Sequence, residues 1–163
     1  MRKLAYGMLA AALLAPGMAI AQALKDQIVG TWRLVSIYNE DKSGKRHLYG
    51  DKPVGILMFD RAGNVVQYLS RPDVPKFAKA NRLEGTDKEY RESMQAIIAG
   101  FGTYSVEGDT VSIRWVASSY PNRTGTTEKR TYKVAGDQLN SRNPTAASGG
   151  VSYANYVRAK PKM

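Results

Sequence analysis

The sequence has no cysteine and a single histidine, His47, among its 163 residues. Without thiols there is no disulfide, no thiolate nucleophile and no cysteine zinc site, so stability has to come from packing. One imidazole excludes a multi-histidine metal centre, and a Ser-His-Asp triad would have to use His47. That residue lies between Arg46 and Leu48 in a basic, loop-flanked segment and reads as exposed or on an edge strand, with no catalytic duty. Phenylalanine is also scarce, 3 residues against 10 tyrosines. A dry core favours phenylalanine, whereas a buried phenol needs a partner for its hydroxyl, so the balance points away from a wholly dry interior.

An apolar run long enough to span a membrane is missing too. Arg2 and Lys3 precede Leu4 to Leu14, and Pro16 and Gly17 interrupt the run short of the ~20 residues a span needs. Ala19-Ile20-Ala21 is a small-x-small cleavage site, so residues 1–21 are expected to be a bacterial-type signal peptide cleaved after Ala21. The expected location is therefore periplasmic or secreted, and the mature domain is residues 22–163. Subtracting 21 from 163 leaves 142 residues, enough for one domain with a sizeable core.

Acid is the minority charge. Taking Arg2 and Lys3 from the 24 basic residues leaves 22 against 14 acids, about +8 for the mature chain, which favours anionic surfaces or ligands. The charges are scattered. The densest groups are Lys42, Lys45, Arg46 and Lys52, then Lys76, Lys79 and Arg82, loop clusters without the interleaved aromatics of a nucleic-acid stacking platform. No nucleic-acid partner is expected.

What is present is a series of short strands joined by turns. Gly30-Thr31-Trp32 opens the first, about residues 31–39, and strict alternation puts Trp32, Leu34, Ser36 and Tyr38 on one face. An indole at the start of a first strand, entered through glycine, suits a plug at the closed bottom of a barrel; a sandwich core would accept it equally. Leu24 to Val29 reads as a helical turn capping that end. Arg46 to Tyr49 is a short second strand, and Val54 to Phe59 is apolar enough to be covered on both faces. Val65 to Ser70 follows a hairpin turn and stops at Arg71-Pro72-Asp73. Thr86-Asp87-Lys88-Glu89 is a capping box, and Tyr90, Met94, Ile97 and Ile98 recur at helical spacing before Gly100, a stripe expected to pack on the barrel as a lid or plug. Strands resume at Phe101 to Val106, Thr110 to Ser118, Thr126 to Val134, Gln138 to Arg142 and Val151 to Arg158. About nine antiparallel strands without an open edge favour a barrel.

The order and spacing of these features resemble the bacterial lipocalin-like domain family. The resemblance is carried by Gly30-x-Trp32, Pro53-Val54-Gly55 before an apolar strand and the Gly63 turn, Arg71-Pro72-Asp73, and Glu89-Tyr90-Arg91. Phe101-Gly102-Thr103-Tyr104-x-Val106-x-Gly108-Asp109-Thr110-Val111 and Ser119-Tyr120-Pro121-Asn122 with Gly125 complete it. It implies an all-β fold: an antiparallel, up-and-down, lipocalin-like calycin β-barrel of about 8–10 strands with one inserted α-helix. The chain departs from relatives in carrying Ile113-Arg114-Trp115 where histidines are often found, and in placing its helix between strands four and five.

Such a barrel encloses room for one small ligand, so the expected partner is a small hydrophobic or amphipathic molecule, with no cofactor and no metal. The residues expected to line the pocket are Leu34, Tyr38, Phe101, Tyr104, Trp115, Tyr132, Tyr156 and Arg158. Arg158, sharing a face with Tyr156 and Ala154, has two readings: an anchor for a carboxylate or other anion, or a guanidinium stacked on Trp32 to close the barrel floor. The floor reading is favoured, because a buried arginine needs a partner. Arg114 and Arg130 are weaker candidates; Glu128 and Arg130 form an internal pair or, more in keeping with their charge, a solvated face. Asn122-Arg123-Thr124 matches a glycosylation acceptor that a bacterial-type leader leaves without weight. Catalytic residues are not evident. An isomerase or cyclase using the pocket, and a structural envelope protein with a filled barrel, are the alternatives to a binding protein.

Overall fold

The structure, a computed structural model, describes residues 23–160; the expected signal peptide lies outside them. The strands are β1 (Gly30–Asp41), β2 (Gly44–Arg46), β3 (Val54–Phe59), β4 (Asn64–Ser70), β5 (Ile97–Glu107), β6 (Thr110–Ser118), β7 (Thr127–Ala135), β8 (Gln138–Asn143) and β9 (Val151–Arg158). Helix α1 covers residues 23–28 and α2 is Asp87–Ala96, with a single 3₁₀ turn at Pro121–Arg123. Every neighbouring pair is antiparallel. Strand β1 pairs with β3 through Gly30–Arg33 and with β9 from Trp32 to Glu40, which closes eight strands into a barrel and leaves β2 as a short hairpin on the end of β1. Closure leaves the eight barrel strands without an open edge.

Two bulges set which side chains face inward. In β1 the register slips between Leu34 and Ser36, so Val35 is the extra residue and is half exposed. Trp32 and Leu34 point in before the slip, Ile37 and Asn39 after it, which turns Ser36 and Tyr38 outward and corrects the uninterrupted alternation expected for this strand. The second bulge leaves Val116 of β6 unpaired opposite Phe101 and Gly102. Gly102 is buried there, and a Cβ on it would collide with the carbonyl of Arg114, so the close approach of β5 to β6 requires glycine.

The core sits in the lower part of the barrel, where Trp32, Leu57, Phe59, Val65, Val111, Ile113, Tyr132 and Leu139 are almost fully enclosed. Helix α1 closes this end by burying Leu24 and Ile28. At roughly 1.5–3 kcal/mol for each buried aliphatic side chain, the plug contributes measurably to stability. The outer face of β3 is open rather than covered: Val54 and Met58 are about half exposed. Helix α2 begins at the expected capping box, Thr86 Oγ1 accepting from the Glu89 amide. It ends earlier than its apolar stripe, because Ile97 leaves helical geometry to pair with Ser70 at the start of β5. Tyr90 and Met94 remain exposed, so the expected plug of Tyr90, Met94, Ile97 and Ile98 does not form. Tyr90 instead packs edge-on against Phe77 of the preceding loop, ring centroids 5.6 Å apart.

Candidate functional site

The two ends of the barrel differ in chemistry. At the floor, Trp32 Nε1 donates to the Ile28 carbonyl oxygen at 2.8 Å, which locks the indole beneath α1. The Arg158 guanidinium lies 4.1 Å above that ring, and its Nη1 and Nη2 donate to the carbonyl oxygens of Val29 and Gln27 at 3.0 and 2.9 Å. Gly30, at φ +129°, makes room: a Cβ there would stand 2.8 Å from Arg158 Nη1. With Nη1 and Nη2 on backbone, Nε 3.6 Å from Asp137 Oδ1 and its face on the indole, Arg158 is placed at the floor, away from the cavity at the other end.

At the open end, a cavity of about 40 Å³ is bounded by Ile37, Asn39, Gln67, Leu69, Tyr156 and an ionic cluster. By volume it has room for a few water molecules or the headgroup of a ligand. The cluster joins four elements. Arg123, at the end of the 3₁₀ turn, dips into the barrel and is 4 % exposed; Arg130 of β7 is 6 % exposed. Glu128, also on β7, receives both. Arg123 Nε donates to its Oε1 at 2.7 Å, and Arg130 Nη2 and Nε donate to Oε2 at 2.6 and 3.1 Å. Gln67 Oε1 of β4 accepts from Arg123 Nη2 and Arg130 Nη1 at 3.1 and 3.2 Å, and Asn143 Nδ2 of β8 reaches Glu128 at 3.4 Å. Arg123 lies 3.6 Å over the ring of Trp115, which gives the buried cation an aromatic floor of its own.

Electrostatics follow from this crowding. Burial acts to raise the Glu128 pKa, but the two guanidiniums outweigh it and hold the carboxyl below its ordinary value. Burial, with repulsion from Arg130, lowers the Arg123 pKa against the pull of Glu128. Burial pushes the Tyr156 phenol well up, so it stays protonated. Two polar atoms of the site, Arg123 Nη1 and Trp115 Nε1 beneath it, have no hydrogen-bond partner among the described residues, and neither does the Tyr132 hydroxyl in the core below.

Above the cavity, Tyr49, Ile98, Ala147 and Ser148 form a wall shared with a mouth depression of about 150 Å³, whose other side is Met94, Gln95, Ile97 and Tyr120. The loop carrying Ala147 and Ser148 is tied to β1 by Asn39, whose Nδ2 donates to Ser148 Oγ at 2.9 Å and to the Gly149 carbonyl oxygen at 2.8 Å.

Of the residues expected to line a pocket, Tyr156 is on the cavity wall and Trp115 lies one layer below it, under Arg123. Leu34 and Tyr132 are in the packed core, and Tyr104 is lower still, its hydroxyl donating to the Asp60 carbonyl oxygen in the β3–β4 turn at 2.8 Å. Tyr38 and Phe101 are on the outside. The β1 bulge turns Tyr38 out to stack on Tyr153, ring centroids 5.1 Å apart, and period-two alternation with inward Tyr104 sends Phe101 out, where it is 51 % exposed. The solvated face expected for Glu128 and Arg130 is an internal ion pair instead, while Arg114 is exposed, as its alternation with Ile113 and Trp115 requires. Arg123, Gln67, Asn39, Asn143 and Tyr49 were not marked by the sequence pattern. The available signal was Arg130 sharing a face with Tyr132: an arginine on an inward strand face demands acids and amides around it.

Among the described residues no three histidine, aspartate or glutamate side chains are grouped to hold a metal ion. Comparison with curated proteins gives no match. The model of the lipocalin-like domain family matches residues 29–153, from the residue before β1 into the first residues of β9. With that match running through the closed barrel just described, the chain belongs to the lipocalin-like domain family.

Proposed function

We propose that the protein is an exported binding protein, periplasmic or secreted, that takes one small amphipathic molecule into the open end of its barrel. The observation that carries this reading is the pairing of a polar, charged cavity with an apolar mouth across the shared wall of Tyr49, Ile98, Ala147 and Ser148. A ligand with a polar head and a short apolar tail matches that gradient. Native mass spectrometry of the protein purified from its own host tests it. A discrete mass increment lost on collisional activation is the expected result; bare protein under gentle desorption counts against it.

A second reading has one observation in its favour. A space of about 40 Å³ is small, and a barrel filled by its own side chains would serve a structural role in the envelope. The isomerase or cyclase alternative gains nothing here, because both Glu128 oxygens are engaged by guanidiniums and its charge is stabilised, which suits charge balance rather than proton transfer.

A further inference from the structure

Charge counting at the cavity goes further than an amphipathic ligand. The charged residues on its wall are Arg123, Arg130 and Glu128, two cations against one anion. Arg130 has all three guanidinium nitrogens engaged, Nε and Nη2 on Glu128 and Nη1 on Gln67. Arg123 does not: Nε and Nη2 are engaged, but Nη1 is buried without a partner. A water molecule would satisfy that N–H and leave the surplus positive charge in a low-dielectric interior, where uncompensated charge is costly. An anion satisfies both.

We propose that Arg123 is the anchor for a monoanionic headgroup, a carboxylate, with the tail of the ligand directed to the mouth beside Met94 and Ile98. This rests on the binding reading above and names its ligand class. A single surplus charge matches a carboxylate, and the nearby Glu128 disfavours a dianion such as a phosphate monoester. The cavity admits a headgroup and no more, which leaves the tail for the apolar mouth.

Calorimetric titration of the mature protein with hexanoate, hexanol, hexylamine and acetate tests this. Hexanoate should bind roughly tenfold or more tighter than hexanol, the margin of a charge-assisted hydrogen bond, and hexylamine should be weakest. Arg123→Gln should erase the preference for hexanoate over hexanol. Because that variant also loosens the cluster, Glu128→Gln provides the converse: removing the competing anion should tighten hexanoate several-fold and leave hexanol unchanged. Equal binding of hexanoate and hexanol overturns the anchor and leaves the amphipathic reading standing. Saturable, Arg123-dependent acetate binding with no gain from a tail supports the anchor and overturns the amphipathic reading. Binding of none of the four overturns both.

Discussion

Arg158 and Arg123 are both inward arginines stacked on a tryptophan, yet their surroundings assign them different work. Arg158 spends its donors on the carbonyl oxygens of Gln27 and Val29 and fixes α1 to the floor, so it acts as a clasp. Arg158→Ala should destabilise the fold by about 1–2 kcal/mol, the sum of a cation–π contact and orphaned carbonyls, measured by urea unfolding, with the ligand titration unaffected. An unchanged unfolding midpoint would remove the clasp. Glu128 sets a pH dependence. It faces Arg123, Arg130 and Asn143, and its folded-state pKa lies below the ordinary value of 4.5. A carboxyl depressed in this way contributes stability that is complete above the unfolded pKa and fades as pH falls through the folded one. In urea unfolding, wild type should therefore exceed Glu128→Gln in stability at neutral pH, and the gap should narrow below about pH 4.5. A gap that stays constant down to pH 3 would contradict it.

At the level of strands, period-two alternation was legible and its interruptions were not. Val111, Ile113 and Trp115 face inward as their spacing requires. A bulge, however, costs one residue and has no signature in a run such as Leu34-Val35-Ser36, so Tyr38 was assigned to the wrong side. The helix shows the same limit from another cause. Its capping box was visible as four consecutive residues, whereas its end is decided by Ile97 pairing with Ser70, a contact with no local trace. The ionic cluster lies further out of reach, since Arg123 meets Gln67 across 56 residues of chain. The second bulge offers a test at this scale. Gly102→Ala places a methyl group against backbone of β6 that is held in the ladder, and should cost roughly 1–3 kcal/mol in urea unfolding. The same substitution at Gly108, where a Cβ meets nothing, should be cheaper despite its φ of +60°. Equal costs at the two positions would mean the sheet yields at the bulge.

As a whole molecule, the barrel has a filled, apolar base and a charged upper end. Eight strands and an apolar plug hold the lower core rigid, and that rigidity is what keeps two guanidiniums and one carboxylate poised at the upper end instead of letting them reach water. The family was legible from the order of glycine turns and aromatic positions along the chain, and the closed sheet agrees with it. The site was less so, because a hollow, charged end and a packed end of one barrel share the same alternating pattern. The 2 tryptophans report on the two ends separately, Trp32 at the floor and Trp115 beneath Arg123. The most direct measurement is therefore a ¹H–¹⁵N correlation spectrum of the two indole N–H groups during titration with hexanoate. The Trp115 signal should move saturably while the Trp32 signal stays in place; movement of Trp32 alone, or of neither, would contradict a ligand site at the open end.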